Sequence, residues 1–144
     1  MLYYRIPGHP VSKKNSLQMA VNKTTGKKFP VQSAAYKKYE KLAKPFLKPM
    51  EDPISYPVNL NVTYWIKKNK DGSIPKTKVD LTNLLAATCD ILVKYQILAD
   101  DNCQIVAGLD GTRVYYTSDE EYTEIEICAM DSPMHRHVML GSKE

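Results

Sequence analysis

Asp100 and Asp101 stand side by side in the chain, and Asp80 lies about twenty residues before them. Adjacent carboxylates repel one another unless something neutralises them. A hard divalent cation does this well, because Mg²⁺ takes a few carboxylate oxygens and keeps several of its waters. Near a phosphodiester such an ion activates the attacking water, shields the phosphate and stabilises the leaving oxygen. An Asp-Asp pair is also an ordinary component of surface turns, so the pair alone leaves both readings open.

The elements that must position these acids are legible in outline. Asp80 directly precedes a helical pattern in which Leu81, Leu84, Leu85, Thr88, Leu92 and Tyr95 form a buried stripe, and it suits the N-cap. Asn83, Ala87, Asp90 and Lys94 run along another face, with Asp90 and Lys94 spaced as an i,i+4 ion pair. After Tyr95-Gln96 the chain passes through Ile97-Leu98-Ala99 into Asp100-Asp101-Asn102, and residues 104–109 read as a strand. Asp100 and Asp101 reach the helix N-terminus only if this connection doubles back. Asp90 lies roughly two and a half turns along the helix from Asp80, and is read as a structural or substrate-facing residue.

Upstream, residues 3–7 read as a short strand closed by the turn Pro7-Gly8-His9-Pro10. Residues 11–31 are polar and lysine-rich, and periodicity leaves Thr24-Thr25-Gly26-Lys27 as either a hairpin tip or a loop. Ser33 suits the N-cap of a helix to about Leu47, with Pro45 kinking or ending its last turn. Val58 to Ile66 alternates apolar and polar residues, as a half-buried strand does. The expected fold class is a single α+β domain, a mixed β-sheet packed against two helices in the order β-α-β-α-β-β. The domain is expected over residues 1–130, followed by a polar C-terminal tail, 131–144.

Charge is unevenly spread. Residues 1–48 hold eleven Lys or Arg against Glu40 alone, a net of +10, so with a chain total of +4 the other 96 residues carry −6. A basic front half and an acidic back half suggest a polyanion-binding surface beside a separate acidic site, although a charged run is also simply a solvated face. No stretch approaches the roughly 18–20 apolar residues of a membrane span, and the first residues lack a secretory pattern. Three scattered cysteines, Cys89, Cys103 and Cys128, suit free thiols in a reducing compartment. A cytoplasmic location is expected. His135-Arg136-His137 lacks partner ligands and is read as part of the tail, and most of the ten tyrosines as packing.

Val79-Asp80-Leu81-Thr82-Asn83-Leu84, Asp90-Ile91-Leu92 and Leu98-Ala99-Asp100-Asp101 together resemble the RusA family of Holliday-junction resolvases. The spacing agrees without gaps from Asp80 to Asp101. More loosely, residues 6–15 look like the family's opening strand and turn, residues 58–66 its central strand and residues 122–128 its last. Residues 110–114 resemble a segment seen in a branch of relatives. The resemblance implies a small homodimer, often encoded by phages and prophages, that cuts four-way DNA junctions in recombination and repair with Mg²⁺ or Mn²⁺.

Carried onto this chain, the resemblance makes Asp80 and Asp101 catalytic acids, with Asp100 beside them holding the metal. Thr82 stands where the family has its second aspartate, and Ala86 where it has a lysine. Thr82 or Asn83 is then expected to orient a coordinated water, and Lys13, Lys14, Lys27, Lys28, Lys76 and Lys78 to grip phosphates. Two alternatives stay open: a junction-binding protein that has lost cleavage through Thr82 and Ala86, and an accessory domain with no role on DNA.

Overall fold

The computed structural model describes residues 1–12 and 17–130. In chain order these form β1 (Leu2–Pro7), β2 (Leu17–Val21), β3 (Lys28–Gln32), α1 (Ala34–Ala43), β4 (Val58–Lys67), α2 (Leu81–Lys94), β5 (Val106–Gly108), β6 (Arg113–Thr117) and β7 (Tyr122–Ala129). The expected α+β class holds, with two helices on a mixed sheet. The lysine-rich stretch resolves as a hairpin, since β2 and β3 pair with each other in a separate two-stranded sheet. Residues 113–117 add a strand absent from the expected order, and the strand expected over 104–109 shrinks to three residues.

β4 is the centre of the main sheet. β7 lies antiparallel on one side of it, followed by β1, while β5 and β6 lie parallel to successive parts of its other side. Its burial is nearly continuous rather than alternating, because Asn59 and Thr63 are buried as well as Val58, Leu60, Val62 and Tyr64. The physical reason is the loop between β5 and β6, which folds across the polar face. Asn59 donates to the Asp110 carbonyl at 3.1 Å and accepts from its amide at 2.8 Å. The Thr112 hydroxyl donates to the Leu60 carbonyl and accepts from the Val62 amide, each at 3.1 Å. Gly111 makes this approach possible: its φ is +91°, and a Cβ there would lie 2.8 Å from Asn61 Cγ.

The other face of β4 and β7 carries both helices. Ser33 caps α1 as expected, its hydroxyl accepting from the Tyr36 amide at 3.2 Å, and Pro45 falls in a 3-10 turn that ends the helix. Tyr36, Tyr39, Ala43 and Leu47 bury against the sheet beside Leu84, Ile91 and Leu92 of α2. The Tyr64 hydroxyl, buried under α2, lies 2.6 Å from the Thr88 hydroxyl, which itself donates to the Leu84 carbonyl. This pins the middle of α2 over the far half of β4.

Candidate functional site

Everything at the site depends on how α2 begins and how the chain leaves it. Asp80 occupies the N-cap with extended backbone, and its carbonyl accepts from the Asn83 and Leu84 amides at 3.0 and 3.1 Å. Contrary to the sequence reading, its carboxylate caps no amide. Among the described residues its one side-chain hydrogen bond is a long one, 3.4 Å, from the Asn83 side chain. The carboxylate therefore stands exposed at the positive end of the helix dipole.

At the other end, Gln96 takes a positive φ of 62° and terminates the helix, and the Ile97 and Leu98 amides return to the Leu92 carbonyl. Residues 97–99 then run beside Ile54, joined by bonds of 2.9 Å from the Ile54 amide to the Ile97 carbonyl and from the Ala99 amide to the Ile54 carbonyl. The chain does double back, but only to the level of Asp90.

Asp90, Asp100 and Asp101 consequently line one open cleft of about 390 Å³, together with Tyr36, Glu40, Val93 and Lys94. Asp100 is occupied by its own turn: it accepts from the Asp101 amide at 2.8 Å and the Asn102 side chain at 3.1 Å. The Asp101 carboxyl lies within reach of the charges of Asp90 and Asp100. Partial burial raises its pKa, and the negative charges of Asp90 and Asp100 raise it further. Behind it the Cys89 thiol is pushed up to about 12, by burial first and then by Asp101 and Asp90. Lys94 does not relieve the acids. It pairs with Glu40 of α1 rather than with Asp90 as its spacing suggested. Tyr36, fully buried, also lines the cleft, and its hydroxyl is close enough to Glu40 for that residue to raise its pKa, after burial, the largest cause.

The sequence-derived acids thus fall into two groups. Asp80, Thr82 and Asn83 sit together in the first turn of α2. Asp100 and Asp101 sit with Asp90, ten residues further on, a separation of roughly 15 Å along the axis. Among the described residues, no group of three or more His, Cys, Asp or Glu is arranged to hold a metal ion within the chain. Thr82 and Ala86 are exposed, and with partly buried Asp90 they mark a stripe along α2 that joins the two groups. Tyr36, Glu40, Asp90, Val93 and Lys94 are the cleft residues that sequence reasoning did not assign to the site. The i,i+4 step from Asp90 to Lys94 was visible, but Glu40's capture of Lys94 depends on tertiary packing.

The candidate phosphate contacts are similarly dispersed. Lys76 and Lys78 are exposed on the loop that leads into Asp80, and Lys27 and Lys28 are exposed on the β2–β3 hairpin. Lys13, Lys14 and the His135–His137 segment lie outside the described residues. Among those described, no helix is long and apolar enough to cross a membrane.

Fold and cleft together define a single-domain α+β protein with a solvent-open carboxylate centre. The family model described as Endodeoxyribonuclease RusA matches residues 7–128. The chain belongs to that family of endodeoxyribonucleases, which resolve Holliday junctions and generally depend on a divalent metal. No curated protein matches it significantly.

Proposed function

We propose that this chain is a divalent-metal-dependent endonuclease that resolves four-way DNA junctions as a homodimer, in recombination and repair. The observation that carries the reading is the open cleft in which Asp101 stands beside Asp90 and Asp100, in a chain of this family. Its donor set suits Mg²⁺ or Mn²⁺, since it is built of hard oxygens and Mg²⁺ needs only one or two protein carboxylates. Asp80, Asp100 and Asp101 would hold the ion, which when bound supplies a water of lowered pKa and shields the phosphate.

The chain's own side chains do the rest. Lys76 and Lys78 hold the phosphate backbone next to Asp80, with Lys13, Lys14, Lys27 and Lys28 extending the grip, which makes binding salt-dependent and indifferent to sequence. Thr82 or Asn83 orients the attacking water by hydrogen bonding.

Ligands of one ion must all lie within about 2–3 Å of it, whereas Asp80 and Asp101 of one chain are separated by most of α2. We therefore place the complete site between two copies. Antiparallel pairing of the exposed α2 stripes about a two-fold axis sets Asp80 of one copy beside Asp100 and Asp101 of the other, twice per dimer. Thr82 and Ala86 are small enough to admit such an approach. Two equivalent sites suit the symmetry of a four-way junction.

A second reading, junction binding without cleavage, draws on the same two residues, since Thr82 supplies no charge where the family has an acid. Cleavage of a labelled synthetic junction with Mg²⁺ or Mn²⁺ separates the two. Metal-dependent paired nicks that vanish in Asp101→Asn support the nuclease. Tight binding with no cutting under either metal supports the binding protein.

A further inference from the structure

Among the described residues the β2–β3 hairpin has no strand partner in the main sheet, and an isolated two-stranded ribbon is marginal in water. Its tip is nevertheless well organised. The Asn22 side chain accepts from the Thr24 and Thr25 amides at 2.9 and 3.2 Å, and the Asn22 carbonyl accepts from Gly26 at 2.7 Å. Gly26 takes the positive φ of 73° that this turn requires.

The ribbon's surface is peculiar in two ways. Residues paired directly across an antiparallel ladder share a face. Met19 pairs with Pro30 and Val21 with Lys28, whereas Phe29 pairs with Ala20 on the opposite face. Large apolar side chains are thus exposed on both faces: Met19 at 61%, Val21 at 54% and Phe29 at 43%. Secondly, residues 17–32 contain Lys23, Lys27 and Lys28 and no acid, and the three lysines make no ion pair among the described residues. A ribbon that is apolar on both faces and cationic at its tip lacks its partner. A second ribbon is a poor one, because symmetric self-pairing would set these lysines against their own copies. DNA meets both requirements: its grooves admit a two-stranded ribbon, its phosphates neutralise lysine, and the unstacked bases of a branch point offer apolar faces to an inserted ring.

We propose that the β2–β3 ribbon is a DNA-engaging arm that places Lys23, Lys27 and Lys28 on phosphates and the Phe29 ring against bases at the branch point. The arm gives the enzyme its preference for branched over linear DNA. The inference rests on the nucleic-acid reading above.

The test compares binding of a four-way junction and a linear duplex of equal length, across a salt series, by wild type, Phe29→Ala, Phe29→Trp and the triple variant Lys23→Ser/Lys27→Ser/Lys28→Ser. Thermal unfolding checks that each variant is folded. Phe29→Ala should lose roughly tenfold to a hundredfold in junction affinity with duplex affinity nearly unchanged, and Phe29→Trp should restore it. The triple variant should lower the salt slope by about 2–3 on both DNAs. A 2-aminopurine at the branch point should brighten on adding wild type and not Phe29→Ala. Junction preference and salt slope at wild-type values in the variants would overturn the arm while leaving the nuclease reading intact. Sedimentation showing that the variants break a dimer would make the ribbon a subunit contact and overturn it too. If wild type itself bound neither DNA, the underlying reading would fail, and the arm with it.

Discussion

Replacing Asp101 with Asn removes one negative charge from a cleft lined by Glu40, Asp90, Asp100 and Asp101, and leaves the shape of the side chain almost unchanged. Asp101 has a pKa raised by partial burial and by Asp90 and Asp100. For a carboxyl raised in the folded state, the protonated form is the stabilised one. Its favourable contribution is complete at acid pH and is lost as pH rises through the folded value, so at neutral pH the ionised group is a net cost. Asp101 is largely exposed, and each like-charge neighbour at a surface is worth only a few tenths of a kcal/mol after solvent screening. Two such neighbours sum to about 0.5 kcal/mol, which in a domain of this size raises the Tm by ~2 °C. The assay is thermal unfolding in EDTA at neutral pH and low salt, with and without Mg²⁺. Asp101→Asn should melt slightly above wild type in EDTA. At Mg²⁺ tenfold over its Kd, wild type should gain about 1.4 kcal/mol from binding, and the variant much less, reversing the order. A variant that melts below wild type in EDTA by a kcal/mol or more would refute the reasoning, because Asp101 would then be a structural residue of the turn and not an acid kept for a ligand.

Gly111→Ala should destabilise by about 1–3 kcal/mol in urea unfolding, since its Cβ would meet the Asn61 side chain and its backbone has a positive φ; a neutral result would show that the loop over β4 is not clamped. With a thiol-reactive dye, exposed Cys103 should label first and Cys89 only on unfolding, because Cys89 is buried with its pKa pushed up to about 12. Equal rates for the two would contradict the packing of α2. Glu121 experiences burial, which raises its pKa, but hydrogen bonds from His9 and the Lys67 amide and the charges on both residues bring it below the usual value. Its depressed folded value contributes stability above the ordinary glutamate range that is lost as pH falls through the folded value. His9→Ala should therefore flatten the loss of stability between roughly pH 5 and 3, read from Tm against pH, and an unchanged profile would remove Glu121 from the acid transition.

Much of the fold was legible because its signals are local. The Ser33 cap, the end of α1 at Pro45 and the start of α2 after Asp80 each follow from one residue type or one period. Two features were not. β4 reads as half-buried from its alternation, but the Asp110–Thr112 loop covers its polar face, and only the tertiary partners of Asn59 explain that asparagine's burial. The hairpin at residues 17–32 was undecided because apolar Met19, Val21 and Phe29 fall on both of its faces and so show no clean period. The acids of the site were legible as residues but not as a constellation. Where Asp100 and Asp101 return along α2 is set by the positive φ of Gln96 and by the ladder from residues 97–99 to Ile54, and those are packing outcomes. The same folding brought Asp90 into the cleft and took Lys94 away to Glu40.

The central claim, a metal-dependent junction nuclease whose sites are shared between two copies, is tested most directly by mixing two inactive variants. Asp80→Asn and Asp101→Asn are each incubated alone, and then subunits are exchanged and the mixture given a labelled four-way junction with Mg²⁺ or Mn²⁺. A mixed dimer with shared sites has one site missing both acids and one site intact, so the account predicts that single-strand nicking returns on mixing while each variant alone stays inactive. Wild-type cutting with no recovery in the mixture would contradict the shared site, and absence of cutting by wild type under either metal would contradict the nuclease.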